Sequence, residues 1–159
     1  MLYLFMIIYA VLVVVADQVV KHLVMTNIPL GTDVAFWDGV VHWTYVRNDG
    51  AAFSSFEGMT WLFVIVFAVF CAGVIWEFSK KRWPFTTLER WCIVSVLAGG
   101  LGNMIDRVFR DGHVVDMIEV EFMNFPVFNV ADCFITCGCI LLMVHLIFFN
   151  KAFWKDNKK

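Results

Sequence analysis

Two aspartates are the residues of this chain whose types and positions point most directly to chemistry. Asp116 lies in the apolar run Val-Val-Asp-Met-Ile, and Asp132 lies where a long apolar segment begins. A carboxylate at the edge of a membrane-length segment is costly unless a partner compensates for its charge. Two carboxylates that meet there cannot both ionise cheaply, so they share one proton. The pair therefore indicates acid–base chemistry on a substrate that the bilayer presents.

The composition indicates that lipid surrounds much of the chain. Of its 159 residues, 61% are hydrophobic, and the mean hydropathy is +0.77, whereas soluble domains are roughly half apolar. A chain this short cannot hide so much apolar surface inside itself. Its length fits one integral membrane domain over residues 1–159. The formal net charge of -2 argues against a nucleic-acid partner, which needs a basic patch.

The cysteines predict neither a disulfide framework nor a metal site. There are five, all in apolar runs, with no Cys-x-x-Cys pair, and buried Cys packs as a small hydrophobe. Cys133 and Cys137 share a helical face beside Asp132, where a metal or redox role is the less favoured alternative. Zinc sites typically use closely spaced pairs on loops. We expect no metal and no cofactor.

Four apolar segments predict an all-α membrane protein. They cover about residues 2–25, 59–78, 88–105 and 130–149. About 20 helical residues match a hydrocarbon core of about 30 Å, and only a helix satisfies its own backbone at that length in lipid. Lys and Arg are concentrated in the link between the second and third segments and in the C-terminal tail. These parts and both termini should therefore face the cytoplasm, and the acidic first and third links should face outward.

The outward links carry strand patterns. Asp38-Gly39 predicts a hairpin turn between the stretches Val34–Trp37 and Val40–Val46. The stretch Met117–Met123 alternates apolar and acidic residues, which is typical of a half-buried strand. We therefore expect a small sheet and surface loop on the outer membrane face.

Polar residues in the first span and the first link have two interpretations each. Asp17 and Lys21 share one helix face, so they form either an ion pair that fixes helix packing or the border of a polar pocket. Asn48 and Gly50 suit a turn. Alternatively, their loop binds an extended peptide, with the small side chains of Ala51 and Ala52 allowing close approach.

The end of the third span combines small and polar residues. Gly102 allows close helix packing, while Asn103 and Asp106 share a face and Arg107 can reach the interface or a nearby carboxylate. The group is either an interfacial cap with a salt bridge or a shell that orients catalytic carboxylates. We favour the second interpretation.

The two aspartates differ in how well local sequence explains them. Asn129 is a suitable N-cap, and Asp132 then lies in the first helical turn, where acids are favoured, so that capping alone accounts for it. Asp116 has no obvious local partner. If the two meet, the ionised carboxylate takes a proton from a water that attacks a peptide carbonyl. The protonated one polarises that carbonyl and helps protonate the leaving nitrogen. The helix N-terminus favours Asp132 as the ionised partner.

Five stretches in one order carry a resemblance to a known family. They are Asp17-Gln18-x-x-Lys21, Asn48-x-Gly50-Ala51-Ala52-Phe53, Gly102-Asn103-x-x-Asp106-Arg107, Val114-Val115-Asp116-Met117-Ile118 and Phe128-Asn129-x-Ala131-Asp132. Together they resemble the bacterial lipoprotein signal peptidases, or signal peptidase II. Each motif alone is weak, but all five in register cover nearly the whole chain and are specific.

The resemblance implies an aspartyl endopeptidase of the bacterial inner membrane. Such enzymes remove the signal peptide from a prolipoprotein by cutting just before a Cys that carries diacylglycerol. Asp116 and Asp132 match the catalytic dyad. The positions that match the family's supporting or substrate-binding residues are Asp17, Lys21, Asn48, Gly50, Ala52, Gly102, Asn103, Asp106, Arg107, Asn129 and Ala131. The resemblance also implies a short surface helix and inhibition by globomycin-type cyclic peptides. We expect a monomer.

Two departures from the family pattern lie beside the dyad. Met117 stands where the family often has Phe, and Cys133 stands where Ser is common. Both should be tolerated, and Cys133 should make the site sensitive to thiol reagents.

Two other classes of function remain as alternatives. A proton-coupled membrane carrier would also place acids in its spans, but nearer the midplane than the ends where these aspartates fall. A structural membrane subunit would use the polar residues only to lock its helices. It predicts that Asp116→Asn changes stability and abolishes no reaction.

Overall fold

The computed structural model describes residues 1–50 and 59–156. In chain order the elements are α1 (Leu2–Asn27), β1 (Asp33–Trp37), β2 (Val41–Asn48), α2 (Thr60–Lys80), α3 (Thr87–Phe109), β3 (Val114–Val120), α4 (Val130–Phe148) and α5 (Lys151–Asp156).

The four long helices confirm the predicted membrane architecture. In the described part of the chain, α1, α2, α3 and α4 are long and apolar enough to cross a membrane. The third helix continues past residue 105 to Phe109, so that Asp106 and Arg107 lie on its last turn. Large apolar side chains such as Leu12 and Ile65 are 62% and 60% exposed. Lipid satisfies that exposure, because its hydrocarbon core solvates apolar side chains that water would not.

The central helix of the bundle is α3. In the most apolar stretch of α3, 44% of the residues are buried, against 11–17% in the corresponding stretches of the other three helices. The helix packs against α1, α2 and α4. A Cβ atom at Gly99 would lie 2.5 Å from the backbone oxygen of Ala131, and one at Gly138 would lie 3.0 Å from that of Cys92. These glycines let α3 and α4 approach closely, as small residues do between membrane helices.

A three-stranded antiparallel sheet in the order β1-β2-β3 lies beside one end of the bundle. The predicted hairpin is confirmed: β1 pairs with β2, and Gly39 adopts a positive φ of 73° in the turn between them. The predicted strand Met117–Met123 was wrong in its bounds, since β3 is Val114–Val120 and a turn follows. The first four residues of β3 are all buried, so they do not alternate, and the alternation used for the prediction marks only the strand's half-buried end.

The sheet is held by apolar packing on the end of α1. Val24 of α1, Tyr45 of β2, and Val115 and Met117 of β3 form one buried cluster. Burial of such side chains contributes about 1.5–3 kcal/mol each. The cluster therefore holds β3, and with it Asp116, against the helix bundle.

The opposite end of the bundle closes with polar contacts and the short helix α5. Glu89 is fully buried in the first turn of α3, where it completes a capping box with Thr86. The side-chain amide of Asn150 donates to Glu89 and precedes α5. Within residues 1–50 and 59–156, α5 is the one short helix. It lies at the end opposite the sheet, whereas the short surface helix implied by the resemblance was expected on the outward face. Ala52 and the rest of residues 51–58 lie outside the described residues.

Candidate active site

Asp116 is buried in the middle of β3 and has two amide donors. It is 2% exposed. Its Oδ2 accepts a hydrogen bond of 2.8 Å from Nδ2 of Asn48, and its Oδ1 accepts one of 2.7 Å from Nδ2 of Asn129. The partners that local sequence did not reveal therefore come from β2 and from the residue before α4.

An irregularity in the sheet brings Asp116 to this position. Trp43 pairs with Ile118, whereas Val46 pairs with Asp116, so two residues of β2 oppose a single residue of β3. A bulge of this kind bends a strand and re-aims its side chains. It places the end of β2, which carries Asn48, beside Asp116.

Asp132 lies in the first turn of α4, where it forms the predicted capping box. Asn129 Oδ1 accepts from the backbone N–H of Asp132, and Asp132 Oδ2 accepts from that of Asn129 at 3.1 Å. Capping occupies only one carboxylate oxygen. The other, Oδ1, accepts a hydrogen bond of 2.8 Å from Nδ2 of Asn103 on α3. Capping therefore explains part of this residue's surroundings, and a contact from another helix explains the rest.

Asn129 joins the two carboxylates. It is fully buried, its side-chain amide donates to Asp116, and its backbone N–H donates to Asp132. The two aspartates are thus each one hydrogen bond away from the same residue. The structure brings them into one site, as the sequence predicted.

Lys21 sets the orientation of Asn103, whose amide reaches Asp132. Its Nζ lies 2.9 Å from Asp17 Oδ2, 2.9 Å from Asp106 Oδ2 and 3.0 Å from Asn103 Oδ1. An ammonium group only donates, so the oxygen of Asn103 must face it. The amide nitrogen of Asn103 consequently points to Asp132. The predicted ion pair of Asp17 and Lys21 is present, and it also borders the polar site.

Asp17 holds the beginning of α4. Its Oδ1 accepts a hydrogen bond of 2.9 Å from the backbone N–H of Ala131, a fully buried residue. A Cβ at Gly102 would lie only 2.6 Å from Asp17 Oδ2. Gly102 is therefore needed for close approach, and the contact between α1 and α4 fixes the backbone next to Asp132.

Asp106 connects α3 with β3. Its Oδ2 accepts from the backbone N–H of Val115 at 3.1 Å as well as from Lys21. Arg107 was expected to reach the interface or a nearby carboxylate, and its positive charge interacts with the carboxylate of Asp116 in the wall of the same cavity. Arg107 is 7% exposed and donates to the backbone oxygens of Gly112 and Gly50, and its guanidinium lies 4.3 Å from the ring centroid of Phe63.

The first link contributes Asn48 and Gly50 to the same region. Asn48 Oδ1 accepts from the backbone N–H of Gly50 at 3.0 Å, which is a turn contact, while its Nδ2 donates to Asp116. Both interpretations of Asn48 therefore have a structural basis. Ala52, which was predicted to belong to this loop's binding surface, lies outside the described residues.

Two residues of this network were not selected from the sequence. Gln18 Nε2 donates to Asp106 Oδ1 at 2.9 Å and to the Gly102 backbone oxygen at 3.1 Å. Arg110 donates to Asp106 Oδ1 and to Gln18 Oε1. Two features of the sequence could have identified them: Gln18 lies inside the first motif, and Arg110 lies one helical turn after Asp106.

Burial makes Asp116 a weaker acid than an ordinary aspartate. Removal from water raises its pKa from 3.8 to about 6, and the charge of Asp132 adds to this rise. The hydrogen bonds from Asn48 and Asn129 oppose it. A carboxyl group with such a pKa exchanges a proton near neutral pH, as a general acid or base must.

A cavity of about 660 Å³ opens onto both aspartates. Apolar side chains form much of its wall, and Cys133 lies in it beside Asp132. Its lining also includes Asn48, Gly50, Phe63, Asn103, Met104, Arg107, Phe125, Phe128 and Ile135. A mostly apolar cleft with a few convergent polar groups is the usual form of a binding site.

The fold and the site together define a multi-pass membrane protein with an enzyme-like carboxylate site at one end of its helix bundle. The family model described as signal peptidase (SPase) II matches residues 9–148. The chain therefore belongs to the signal peptidase II family, and it is a peptidase by that membership.

Named relatives and solved structures agree with the family assignment. The lipoprotein signal peptidase of Lactococcus lactis subsp. lactis (strain IL1403) is 42% identical over 137 residues, which are 84% of this chain and 87% of the relative. That of Streptococcus agalactiae serotype V is 37% identical over 94% of this chain and 92% of the relative. A solved structure described as a bacterial membrane enzyme, determined by the in meso method at 2.3 Å resolution, matches with a TM-score of 0.85. It shares 32% identity over 98% of this chain and 92% of its own.

Proposed function

We propose that this protein is an aspartic endopeptidase that removes the signal peptide from diacylglyceryl-modified prolipoproteins, cutting just before the lipidated Cys. The observation that carries the proposal is the bridge through Asn129, which joins Asp116 and Asp132 at one end of the bundle. The curated relatives are named lipoprotein signal peptidases, which supports this substrate class.

The mechanism uses the two carboxylates in different protonation states. The ionised carboxylate takes a proton from a water molecule, and the water oxygen attacks the scissile carbonyl carbon. The protonated carboxyl polarises the carbonyl oxygen and then donates its proton to the leaving nitrogen. The raised pKa of Asp116 supports this residue as the proton carrier, because its burial favours the neutral form.

The supporting residues limit how far the dyad can move. Asn48, Asn103 and Asn129 donate to the carboxylates. Lys21, which is paired with Asp17 and Asp106, holds the amide of Asn103 in place. Catalytic groups held in this way need no reorganisation when charge develops. Backbone contacts and close packing also keep the dyad in place, and the residues that supply them are Gly50, Gly102, Arg107 and Ala131.

The cavity wall supports a lipidated, apolar substrate. We place the protein in the bacterial inner membrane as a monomer, with both termini cytoplasmic and the dyad near the outer face. A diacylglyceryl group in the outer leaflet would then hold the scissile bond at the height of the aspartates. Globomycin-type cyclic peptides would act by occupying the same cavity.

A cleavage assay tests the proposal. Purified protein in detergent is incubated with a diacylglyceryl-modified precursor peptide and with the same peptide lacking the lipid. We expect cleavage before the lipidated Cys and a loss of at least about 100-fold in both Asp116→Asn and Asp132→Asn, since general acid–base groups contribute about 10²–10⁴-fold. Asp111→Asn, a change at an exposed residue, is the matched control and should cleave normally.

Two results would contradict the proposal. Full activity in either dyad variant, with folding verified, would remove the aspartic mechanism. Equal cleavage of the lipidated and unlipidated peptides would remove the substrate class. A carrier or a structural subunit predicts no cleavage by any form of the protein.

A further inference from the structure

A second group of chemically reactive side chains lies on the sheet, among residues that do not line the active-site cavity. It consists of Asp38 in the turn after β1, His42 in β2 and Glu121 directly after β3. One ligand atom from each residue lies within 4.8 Å of the others. Three different segments therefore bring two carboxylates and an imidazole to one point.

His42 is the centre of this group, and both of its ring nitrogens face carboxylates. Nδ1 lies 3.1 Å from Asp33 Oδ2, and Nε2 lies 2.9 Å from Glu121 Oε2. Nε2 is buried and, among the described residues, has no hydrogen bond of acceptable geometry. A neutral imidazole carries only one N–H. One nitrogen lone pair would therefore face a carboxylate oxygen, an arrangement that a cation between the groups would relieve.

The positions of the donors suit a metal ion. Histidines that bind metals generally donate their other N–H to a carboxylate, which fixes the tautomer. Asp33 occupies that place, because a hydrogen bond from Nδ1–H to Asp33 leaves the lone pair of Nε2 free for a metal. The backbone N–H of Gly39 donates to Glu121 Oε2 at 2.7 Å, which holds this carboxylate at the turn.

The size and charge of the group agree with a divalent ion. Zinc binds imidazole nitrogen and carboxylate oxygen at about 2.0–2.2 Å, so neighbouring ligand atoms of a tetrahedral site lie about 3.3 Å apart. The spacing of the three side chains leaves room for this geometry. Asp38 and Glu121 together match the charge of a divalent cation, and both are exposed, so that water can supply the fourth ligand.

We propose that Asp38, His42 and Glu121 bind a divalent transition-metal ion, for which Zn²⁺ fits best, with Asp33 orienting His42. The ion ties the β1–β2 turn to the end of β3. It thereby fixes the two strands that carry Asn48 and Asp116, without taking part in peptide cleavage. The proposal departs from the sequence-based expectation of no metal, which considered only Cys133 and Cys137.

Metal titration tests the proposal independently of peptidase activity. The chain is purified without a histidine tag, freed of metal with a chelator and titrated in detergent with Co²⁺ and then Zn²⁺. We expect one ion per chain, with visible Co²⁺ absorption bands of a tetrahedral site that Zn²⁺ abolishes. Asp33→Asn should weaken binding by about 10–100-fold, as loss of an outer partner of a metal ligand typically does.

The ligand variants and a matched control decide the outcome. His42→Gln and Glu121→Gln should lose the site, whereas His113→Gln should keep it, because His113 is paired with Asp49 elsewhere. Zn²⁺ should raise the thermal unfolding midpoint of the wild type and leave that of His42→Gln unchanged. Asp38→Asn, in the exposed turn, gives the same test if His42→Gln does not fold.

The proposal would be overturned if the wild-type protein bound Co²⁺ and Zn²⁺ no more tightly than His42→Gln does. Binding that Asp38→Asn and Glu121→Gln leave unchanged would overturn the assignment of ligands as well.

Discussion

At the scale of single residues, Lys21 determines which way the side-chain amide of Asn103 points. Its ammonium group lies between Asp17, Asp106 and Asn103, and its ion pairs with the two aspartates are buried. A buried charge that loses its partner costs about 3–5 kcal/mol, which is a large part of the stability of a small domain. One buried cation therefore links the stability of the bundle to the orientation of Asn103 toward Asp132.

Asp116 should make the stability of the protein depend on pH. Its folded pKa of about 6 lies above its ordinary value of 3.8. Its contribution is therefore fully present below about pH 3.8 and is lost as the pH rises through about 6. The full effect is about 3 kcal/mol, because each pKa unit corresponds to about 1.4 kcal/mol.

Unfolding of wild type and Asp116→Asn in detergent at pH 4.5 and pH 8 measures this effect. The stability of the wild type relative to the variant should fall between the two pH values by most of that amount. The same pH dependence in both proteins would show that Asp116 is not held in a water-poor site.

At the scale of elements, close approach between helices positions the backbone next to Asp116 and Asp132. Asp17 on α1 accepts from Ala131 at the start of α4, and Gly102 on α3 leaves space for this contact. Asp106 on α3 accepts from Val115 of β3. Asp116 and Asp132 each follow a residue whose backbone N–H donates to a carboxylate on a neighbouring helix.

Replacement of Gly102 should therefore be more costly than its helix propensity suggests. In Gly102→Ala, the new Cβ would come within 2.6 Å of Asp17 Oδ2, and we expect a loss of about 1–3 kcal/mol in stability from overpacking. We also expect reduced cleavage of the lipidated peptide, because α4 must shift. Thermal unfolding and the cleavage assay measure the two effects.

Gly73→Ala on α2 is the matched control for this change. A Cβ there meets nothing within 4 Å, and Ala is favoured over Gly in a helix by about 1 kcal/mol. The control should be neutral or slightly stabilising. Equal effects of the two substitutions would show that the close contact at Gly102 has no energetic importance.

At the scale of the whole molecule, the lipid-facing helices and the sheet at one end give the protein a direction in the membrane. The basic link between α2 and α3 lies at the end of the bundle opposite the sheet and the dyad. By the distribution of Lys and Arg, that basic end should be cytoplasmic.

Labelling of single cysteines in cells tests this orientation. Thr32→Cys, close to β1, should react with a membrane-impermeant maleimide in spheroplasts or protoplasts. Ser79→Cys, near the end of α2, should react only after the membrane is opened, and both residues are exposed. Reaction of the unsubstituted chain gives the background from the native cysteines. The reverse pattern would place the dyad on the cytoplasmic side.

Much of the architecture could be predicted because it depends on local sequence. The four apolar lengths predict four helices, Asp38-Gly39 predicts the hairpin, and Asn129 followed by Asp132 predicts the capping box. Each signal lies within a few residues or one continuous segment. The start of β3 was missed because its first residues are buried on both faces and therefore show no alternation.

The sequence by itself determined which residues were available for the site: two aspartates at the ends of apolar runs, in motifs whose order identifies the family. Only the tertiary structure decided how these residues meet. The contacts of Asp116 with Asn48 and Asn129, and the grouping of Asp33, His42 and Glu121, join segments that are distant in the chain. Such contacts depend on strand register, a bulge and helix packing, which arise when the whole chain buries its apolar surface at once.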